Sequence, residues 1–219
     1  SGTCRARTSK AIQEIMINNL KKLAPKQLSD YRNNNPGTCF NDLDFILNMD
    51  AAYELQDAVT DLRVAAGEDI IGYKVGCTGS GTTNQFGMKG PIRGTLFGSE
   101  LLKNGAELDF ELFTNLSIEG EMAVKIGANG EIISAFPVIE LHNFVFRATI
   151  KTLPELIANN GFNAGVVWPD LIWQKSTRYI NQPAQLSVKI NSKVIAAGDL
   201  WPLPQGPCGS IEWLENNLK

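Results

Sequence analysis

The stretch LSIEGEMAVKIGANGEIISAFPVIEL, residues 116–141, carries the pattern from which the centre of the fold is predicted. Two mostly apolar runs, Leu116 to Ile126 and Glu131 to Leu141, have the length and composition of β-strands. Between them lies Ala128-Asn129-Gly130, and an Asn-Gly pair supplies the positive φ angles that a tight turn between antiparallel strands needs. The stretch therefore predicts a β-hairpin with its two strands side by side.

Three glutamates interrupt these apolar runs. Glu119 and Glu121 are two residues apart, so in a strand both side chains point to the same face. Glu140 lies on the second strand, which the hairpin brings back beside the first. Carboxylates this close repel one another unless a cation lies between them, and a hard divalent cation such as Mg²⁺ prefers oxygen ligands. The pattern predicts a metal site, but two alternatives stay open: a solvated Glu119–Glu121 face, and a Glu140 that pairs with a lysine or arginine.

The single histidine of the chain, His142, follows Glu140 by two residues. Strand alternation predicts that the two side chains share a face. His142 is therefore a candidate metal neighbour or base, and the alternative is a hydrogen-bonded structural residue.

The composition narrows the class of protein. The chain has 219 residues, and its 43% hydrophobic and 20% charged residues are ordinary for a soluble globular protein. A net charge of −3 with scattered lysines and arginines argues against a nucleic-acid partner, and no apolar run reaches the length of a membrane span. The four cysteines form no C-x-x-C pair, which argues against structural zinc and predicts free thiols in the cytoplasm.

Outward from the hairpin, the pattern divides the chain near residue 68. Residues 1–67 are predicted as an N-terminal helical segment, and residues 68–219 as a strand-rich domain, which together make an α+β fold. Pro25 is predicted to end a first helix, and Gly67 to follow the last one. The other predicted elements are helices over Lys26 to Arg32, Asp42 to Ala66 and Phe146 to Asn160, strands over Ile70 to Val75, Thr95 to Phe97 and Ala106 to Phe113, a hairpin over Gln185 to Ala197, and a final helix capped by Ser210.

Several motifs, in this order, resemble those of the 2-keto-4-pentenoate hydratases and 4-oxalocrotonate decarboxylases, a family of the fumarylacetoacetate hydrolase superfamily. Gly72 to Thr78 is similar to the G-x-K-V-G-x-T segment of that family, and Ile118 to Ala123 resembles its E-x-E metal strand. The remaining matches are Gly94-Thr95-Leu96-Phe97, Val138-Ile139-Glu140, Asn160 to Ala164 and Ile211-Glu212-Trp213-Leu214.

The resemblance implies a catalytic domain built on a mixed β-barrel, and two departures bear on it. Gly165 stands where the family has a serine, so one hydroxyl near the substrate is missing. The chain ends at Lys219, where family members continue with strands that close the barrel. The barrel is therefore expected to be incomplete or closed in another way, and a partner subunit of a homo-oligomer could cover its edges.

The resemblance also implies a chemistry and its residues. Glu119, Glu121 and Glu140 would bind Mg²⁺ or Mn²⁺, which chelates a small 2-oxo or 2-hydroxydienoic acid from aromatic catabolism and stabilises its enolate. Glu119 and Lys74 are the expected catalytic residues, and Lys74 either transfers protons or pairs with a glutamate. The expected substrate-binding residues are Gly76, Arg93, Thr95, Leu96, His142 and Asn163.

These residues predict a hydratase, with three alternatives. Because the same enolate can lose CO₂, a 2-oxo acid decarboxylase is one, and an acylpyruvate C–C hydrolase, for which only His142 could help to activate water, is another. The third is a catalytically reduced binding or partner subunit, suggested by Gly165 and the missing closing strands. Arg93 lies in the glycine-rich stretch Gly79 to Gly94, which could form a lid, and there it either meets a second carboxylate or lies in a solvated loop.

Overall fold

The computed structural model describes residues 20, 22–34, 47–79, 90–143, 152–203 and 205–218. The described residues form four helices: α1 (22–32), α2 (Met49–Ala65), α3 (Leu153–Ala158) and α4 (Pro207–Asn217). The same residues form eight strands: β1 (Ile70–Gly76), β2 (Ile92–Phe97), β3 (Leu101–Lys103), β4 (Leu116–Ile126), β5 (Ile132–Asn143), β6 (Asn163–Trp168), β7 (Gln185–Ile190) and β8 (Lys193–Asp199). None of these helices combines the length and the apolar character needed to cross a membrane.

The strands of the described residues form three sheets. β1 and β2 make an antiparallel pair, β7 and β8 make another, and the third sheet has the order β3-β6-β5-β4. In this third sheet only β3 and β6 run parallel. The predicted α+β class is confirmed, and within the described ranges the strands do not close into a barrel.

The local turn signals are confirmed in part. β4 has the predicted bounds, and in the turn to β5 Gly130 has a φ of 81°, but Asn129 does not have the positive φ expected of an Asn-Gly pair. The β7–β8 turn at Asn191 and Ser192 has φ angles of 48° and 65°, which is the pair of positive angles that a type I′ turn requires. Gly67 follows α2 with a φ of 92°, a conformation that glycine adopts without a steric penalty.

Three helix and strand predictions are wrong. Pro25 lies inside α1 instead of ending a helix, because the burial of Ala24 and Leu28 offsets the backbone hydrogen bond that proline cannot make. Residues 106–113 form no strand; instead Phe110–Leu112 is a 3₁₀ turn, and Asp109 at its start accepts a hydrogen bond from Glu111 N. Ser210 does not cap α4, which begins at Pro207, a residue suited to the first helical turn.

Two predicted helices differ in extent. α2 begins at Met49, after Asn48, whose side chain accepts a hydrogen bond from Ala51 N at the helix start. The predicted helix over 146–160 is described only from residue 152, where α3 is followed by the 3₁₀ turn Asn160–Phe162. Residues 1–19, 35–46 and 80–89, which include the predicted first helix and most of the glycine-rich stretch, lie outside the described residues.

Buried glutamines fix the end of α3 that leads towards the candidate site. Leu55 on α2 and Ile157 on α3 belong to one apolar core. Beside this core, Gln56 Nε2 donates hydrogen bonds to Ile157 O at 2.7 Å and Arg93 O at 3.1 Å. Gln27 Nε2 donates to Ala158 O at 2.8 Å. These amides satisfy carbonyls that a helix end leaves without intrahelical partners, so the segment after α3 has a defined position.

A buried arginine joins α2 to the strands. Arg63 donates to Glu68 at 2.5 Å and contacts Glu100 at 2.7 Å, and its guanidinium lies 3.6 Å from the ring centroid of Phe97. The hydrogen bond from Arg63 lowers the pKa of Glu68 to about 2, against the opposing effect of its partial burial. The stability of the fold therefore depends on pH through the Arg63–Glu68 pair.

Glu68→Gln is expected to reduce stability at neutral pH by at most about 3 kcal/mol, the value of the pKa shift. Because the pKa of Glu68 is lowered in the folded state, its contribution is present above the unfolded pKa and is lost as the pH falls from about 5 towards 2. Urea unfolding across this range should show the difference between parent and variant closing. Glu107→Gln, at an exposed position, is the control. A difference that persists undiminished to about pH 2 would contradict the assignment.

Candidate metal centre

The β4–β5 register places the predicted acidic residues on one face. Glu119 lies directly opposite Glu140, Ser117 opposite His142, and Glu121 opposite Val138. Directly opposite residues of an antiparallel pair, and residues two apart along a strand, project on the same side of the sheet. Glu119, Glu121, Glu140 and His142 therefore share one surface.

This surface runs from the protein interior to solvent. Glu140 and His142 are only 7% and 5% exposed, whereas the Glu119 side chain is 51% exposed. His142 lies between the two carboxylates, with Nε2 at 3.2 Å from Glu140 Oε1 and Nδ1 at 3.6 Å from Glu119 Oε1. The site therefore has a buried floor, formed by Glu140 and His142, and an open rim at Glu119.

Lys74 of β1 reaches the buried floor of the site. Its ammonium donates to Glu140 Oε1 at 2.5 Å and to Gly161 O at 3.1 Å, and it lies 3.1 Å from His142 Nε2. An ammonium group has three donor hydrogens, of which Glu140 and Gly161 accept two, and His142 Nε2 lies within hydrogen-bond distance of both Lys74 Nζ and Glu140 Oε1. Of the two alternatives for Lys74, the ion pair with a glutamate is present, and proton transfer stays a prediction.

The pKa values of Glu140 and Glu121 are shifted in opposite directions. Burial alone would raise the pKa of Glu140, but Lys74 and His142 lower it below the ordinary carboxyl range, so Glu140 is ionised at neutral pH. Glu121 is open to solvent on one side, but the surrounding protein and the charges of Glu140 and Glu119 raise its pKa to about 7. A positive charge near Glu121 would relieve this repulsion.

The donor set fits a divalent metal ion. Ligand atoms of Glu119, Glu140 and His142 all lie within 4.8 Å of one another, and Glu121 lies two residues from Glu119 on the same face. Carboxylate oxygens suit Mg²⁺ and Mn²⁺, and an imidazole nitrogen suits Mn²⁺ among other metals. Of the three glutamates predicted as ligands, Glu119 and Glu140 belong to this group, and His142, predicted as a metal neighbour or base, belongs to it as well.

Glycines line the path of the Lys74 side chain. Gly94 is the register partner of Lys74 on β2, and a Cβ on Gly94 would lie 3.0 Å from Lys74 Cγ. A Cβ on Gly161 would lie 2.9 Å from Lys74 Cε, and one on Gly76 would lie 3.8 Å from the same atom. Gly94 and Gly161 therefore form a slot for the lysine, and Gly76 borders it.

Arg93 lies outside this group. Its guanidinium donates two hydrogen bonds of 2.8 Å to Asp57 and one of 2.9 Å to Gln56, and it stacks over Tyr53. These contacts join β2 to α2. Arg93 therefore meets a carboxylate of the protein itself and is not in a solvated loop.

The other predicted substrate residues have separate surroundings. Leu96 packs against the core of Phe136 and Val138. Asn163 is buried and donates to Glu100 Oε2 at 3.0 Å, beside a cavity whose described lining includes Tyr31 and Arg63 but not Lys74. Thr95 is buried, and both of its backbone groups bind the side chain of Asn160.

Sequence reasoning missed the role of one backbone group. The Gly161 carbonyl contacts Lys74 Nζ although the two residues are 87 positions apart. The only local signal was the turn-forming pair Asn160-Gly161, which indicates a turn but not what the turn contacts.

Comparison with known proteins gives a partial sequence match and a broader structural match. No protein-family model matches the chain. The TodF product hydratase of Pseudomonas putida is 29% identical over 80 residues, a match that spans 36% of this chain and 30% of that hydratase. The 4-oxalocrotonate decarboxylase of Pseudomonas putida G7, solved with magnesium and adipate, gives a TM-score of 0.75 at 18% identity and covers 89% of this chain and 79% of its own.

The same decarboxylase, solved with calcium and acetate, gives a TM-score of 0.57 at 21% identity over 68% of this chain and 61% of its own. At these identities the structural matches bear on the fold. Together with the hydratase match they confirm the resemblance inferred from the motifs, and the chain has the fold of 4-oxalocrotonate decarboxylase.

Proposed function

We propose that the chain is a divalent-metal-dependent lyase of the hydratase type, acting on a small 2-oxo or 2-hydroxydienoic acid. The observation that carries this proposal is the position of Lys74 against a face that holds Glu119, Glu121 and Glu140. The names of the matched proteins support it, since one is a hydratase and the other a decarboxylase solved with magnesium.

Glu119, Glu121 and Glu140 are the proposed ligands of Mg²⁺ or Mn²⁺, with His142 beside them. When bound, the ion supplies Lewis-acid stabilisation of negative charge on the oxygens of the acid. The three carboxylates would hold the ion, and Glu119 at the open rim is accessible to a small molecule. The buried floor of the site excludes water from one side.

Lys74 is the proposed proton-transfer residue. Its Nζ is held at the buried floor of the site by Glu140, His142 and Gly161, so a proton can be delivered or accepted at one defined point. Gly76 leaves room for the substrate near this point because it has no side chain. Thr95 and Asn163 stay as proposed substrate-binding residues. Arg93 and Leu96, whose side chains contact Asp57 and the core of Phe136, would support substrate binding only through the position of β2.

Decarboxylation of a 2-oxo acid is the second candidate. The observation that favours it is the structural match to 4-oxalocrotonate decarboxylase over 89% of the chain. The same residues would serve both reactions, because each needs charge stabilisation at the 2-oxo oxygen and the delivery of a proton to the carbon of an enolate. Detection of CO₂ release beside the ultraviolet absorbance of the dienoic acid separates them.

Glu119→Gln is expected to weaken Mg²⁺ binding by about 10-fold or more and to lower kcat by about 100-fold, because it removes one charged ligand while preserving volume. Titration calorimetry measures the first effect, and absorbance of a 2-hydroxydienoate measures the second. Glu107→Gln is the matched control on an exposed loop and should leave both unchanged.

Two other outcomes bear on the proposal. Metal binding without any turnover or CO₂ release would support a binding or partner subunit instead. Mg²⁺ and Mn²⁺ binding that is absent from the parent protein, or unaffected by Glu119→Gln, would overturn the proposed metal site.

A further inference from the structure

We propose that Asn160 is a positioning residue for Lys74. In this inference, the Asn160 side chain holds a left-handed turn against β2, and the turn presents the Gly161 carbonyl to Lys74 Nζ. The inference deepens the proposed function, because it rests on Lys74 as the proton-transfer residue.

The turn has an unusual backbone. Asn160, Gly161 and Phe162 have φ angles of 56°, 60° and 56°, three successive positive values. Glycine adopts this conformation freely and asparagine tolerates it, but for phenylalanine it costs about 1 kcal/mol or more. Burial of Phe162 and its hydrogen bond to Asn159 O at 2.9 Å help to hold it. A turn of this kind persists only where its surroundings fix it.

The Asn160 amide provides a fixed attachment. Its Oδ1 accepts from Thr95 N at 2.7 Å, and its Nδ2 donates to Thr95 O at 2.8 Å. β1 pairs with one edge of β2, so at the other edge the amide takes the place of a neighbouring strand. Because Thr95 is buried, loss of this pair would leave two backbone groups unsatisfied in the interior.

The attachment point lies next to the lysine. Thr95 follows Gly94, the register partner of Lys74, and a Cβ on Gly94 would lie 3.0 Å from both Lys74 Cγ and Asn160 O. The lysine stem therefore passes between β2 and the turn. Any movement of the turn away from β2 would widen the slot between Gly94 and Gly161.

Loss of the Asn160 attachment would affect one of the three contacts of Lys74 Nζ. Glu140 and His142, which hold Lys74 Nζ from one side, belong to β5. Gly161 O is the acceptor supplied by another element, so it determines the direction of Nζ relative to the carboxylate face. Without the Asn160 attachment, Nζ would keep its ion pair but lose this second restraint.

The test compares Asn160→Ala, which removes the amide, with Asn160→Gly, which also removes it but retains easy access to positive φ. The first readout is the rate at which acetic anhydride labels Lys74, measured by peptide mass spectrometry and normalised to exposed Lys103 and Lys125. The second readout is kcat and KM for the 2-hydroxydienoate. Asn181→Ala, at an exposed position, is the control.

Both Asn160 variants should label at Lys74 about 5- to 10-fold faster and lose about 10-fold in kcat, with KM within about 2-fold. Asn181→Ala should label at the parent rate. Parent-like labelling of Lys74 in a folded Asn160→Gly or Asn160→Ala protein would overturn the inference. Because labelling needs no turnover, this result is distinct from failure of the proposed function, which would appear as an inactive parent whose Lys74 is still protected by Asn160.

Discussion

Replacing Lys74 with methionine is expected to lower kcat by about 10³-fold, because the variant retains the aliphatic stem but has no group to transfer a proton. It is also expected to destabilise the fold at neutral pH by about 3 to 5 kcal/mol, since Glu140 would be left as a buried carboxylate without its cation. Steady-state kinetics and urea unfolding measure the two effects separately.

The double variant Lys74→Met, Glu140→Gln is the control for the first prediction. Removal of both charges should restore most of the lost stability but none of the turnover, because a neutral pair of similar volume has no uncompensated charge. A Lys74→Met protein that retains kcat within about 10-fold of the parent would contradict the assignment of Lys74 as proton-transfer residue.

Phe136→Ala is expected to cost about 3 to 5 kcal/mol of unfolding free energy, the usual range for loss of a buried phenylalanine. Phe136 lies on β5 with 0% exposure and packs against Trp168 of β6, with 5.2 Å between the ring centroids. It precedes Glu140 by four residues on the same strand, so its packing also supports the candidate site.

Phe110→Ala makes the same chemical change on the surface, because Phe110 is 71% exposed. Its free energy of unfolding should stay within about 0.5 kcal/mol of the parent. Equal losses for the two variants in urea unfolding would contradict the view that the β4–β5–β6 sheet depends on this buried contact.

The hairpin was predictable because its signals are local. Strand alternation, the Asn129-Gly130 turn and the two apolar runs act over fewer than thirty residues. Together they predict that Glu119, Glu121, Glu140 and His142 share a face, as observed. The hairpin did not reveal whether these side chains are buried, because burial depends on what packs against the face.

Contacts between distant parts of the chain were not predictable in the same way. The parallel pairing of β3 with β6 and the contact of Lys74 with Gly161 join residues more than sixty positions apart. Arg93 was expected near substrate, but its guanidinium is directed to Asp57 of α2. No periodicity in either segment carries information about such a partner.

Some local signals were overridden by packing or by the lack of it. Pro25 would end an isolated helix, but α1 includes it because the residues around it are buried in the core. Residues 106–113 have the composition of a strand, but no neighbouring strand pairs with them in the described structure. The fold-level resemblance reached further than the residue patterns because it draws on the order of motifs along the whole chain.

The register of β4 against β5 makes the candidate metal site sensitive to the length of its turn. Glu119 faces Glu140 because a set number of residues, from Gly120 to Ile139, separates them through the turn. Exchange of side chains in Ala128-Asn129-Gly130 would preserve that spacing, whereas inserting or deleting a single residue would slip one strand and send its glutamates to the opposite side of the sheet. The candidate metal site therefore tolerates changes in the composition of this turn but not in its length.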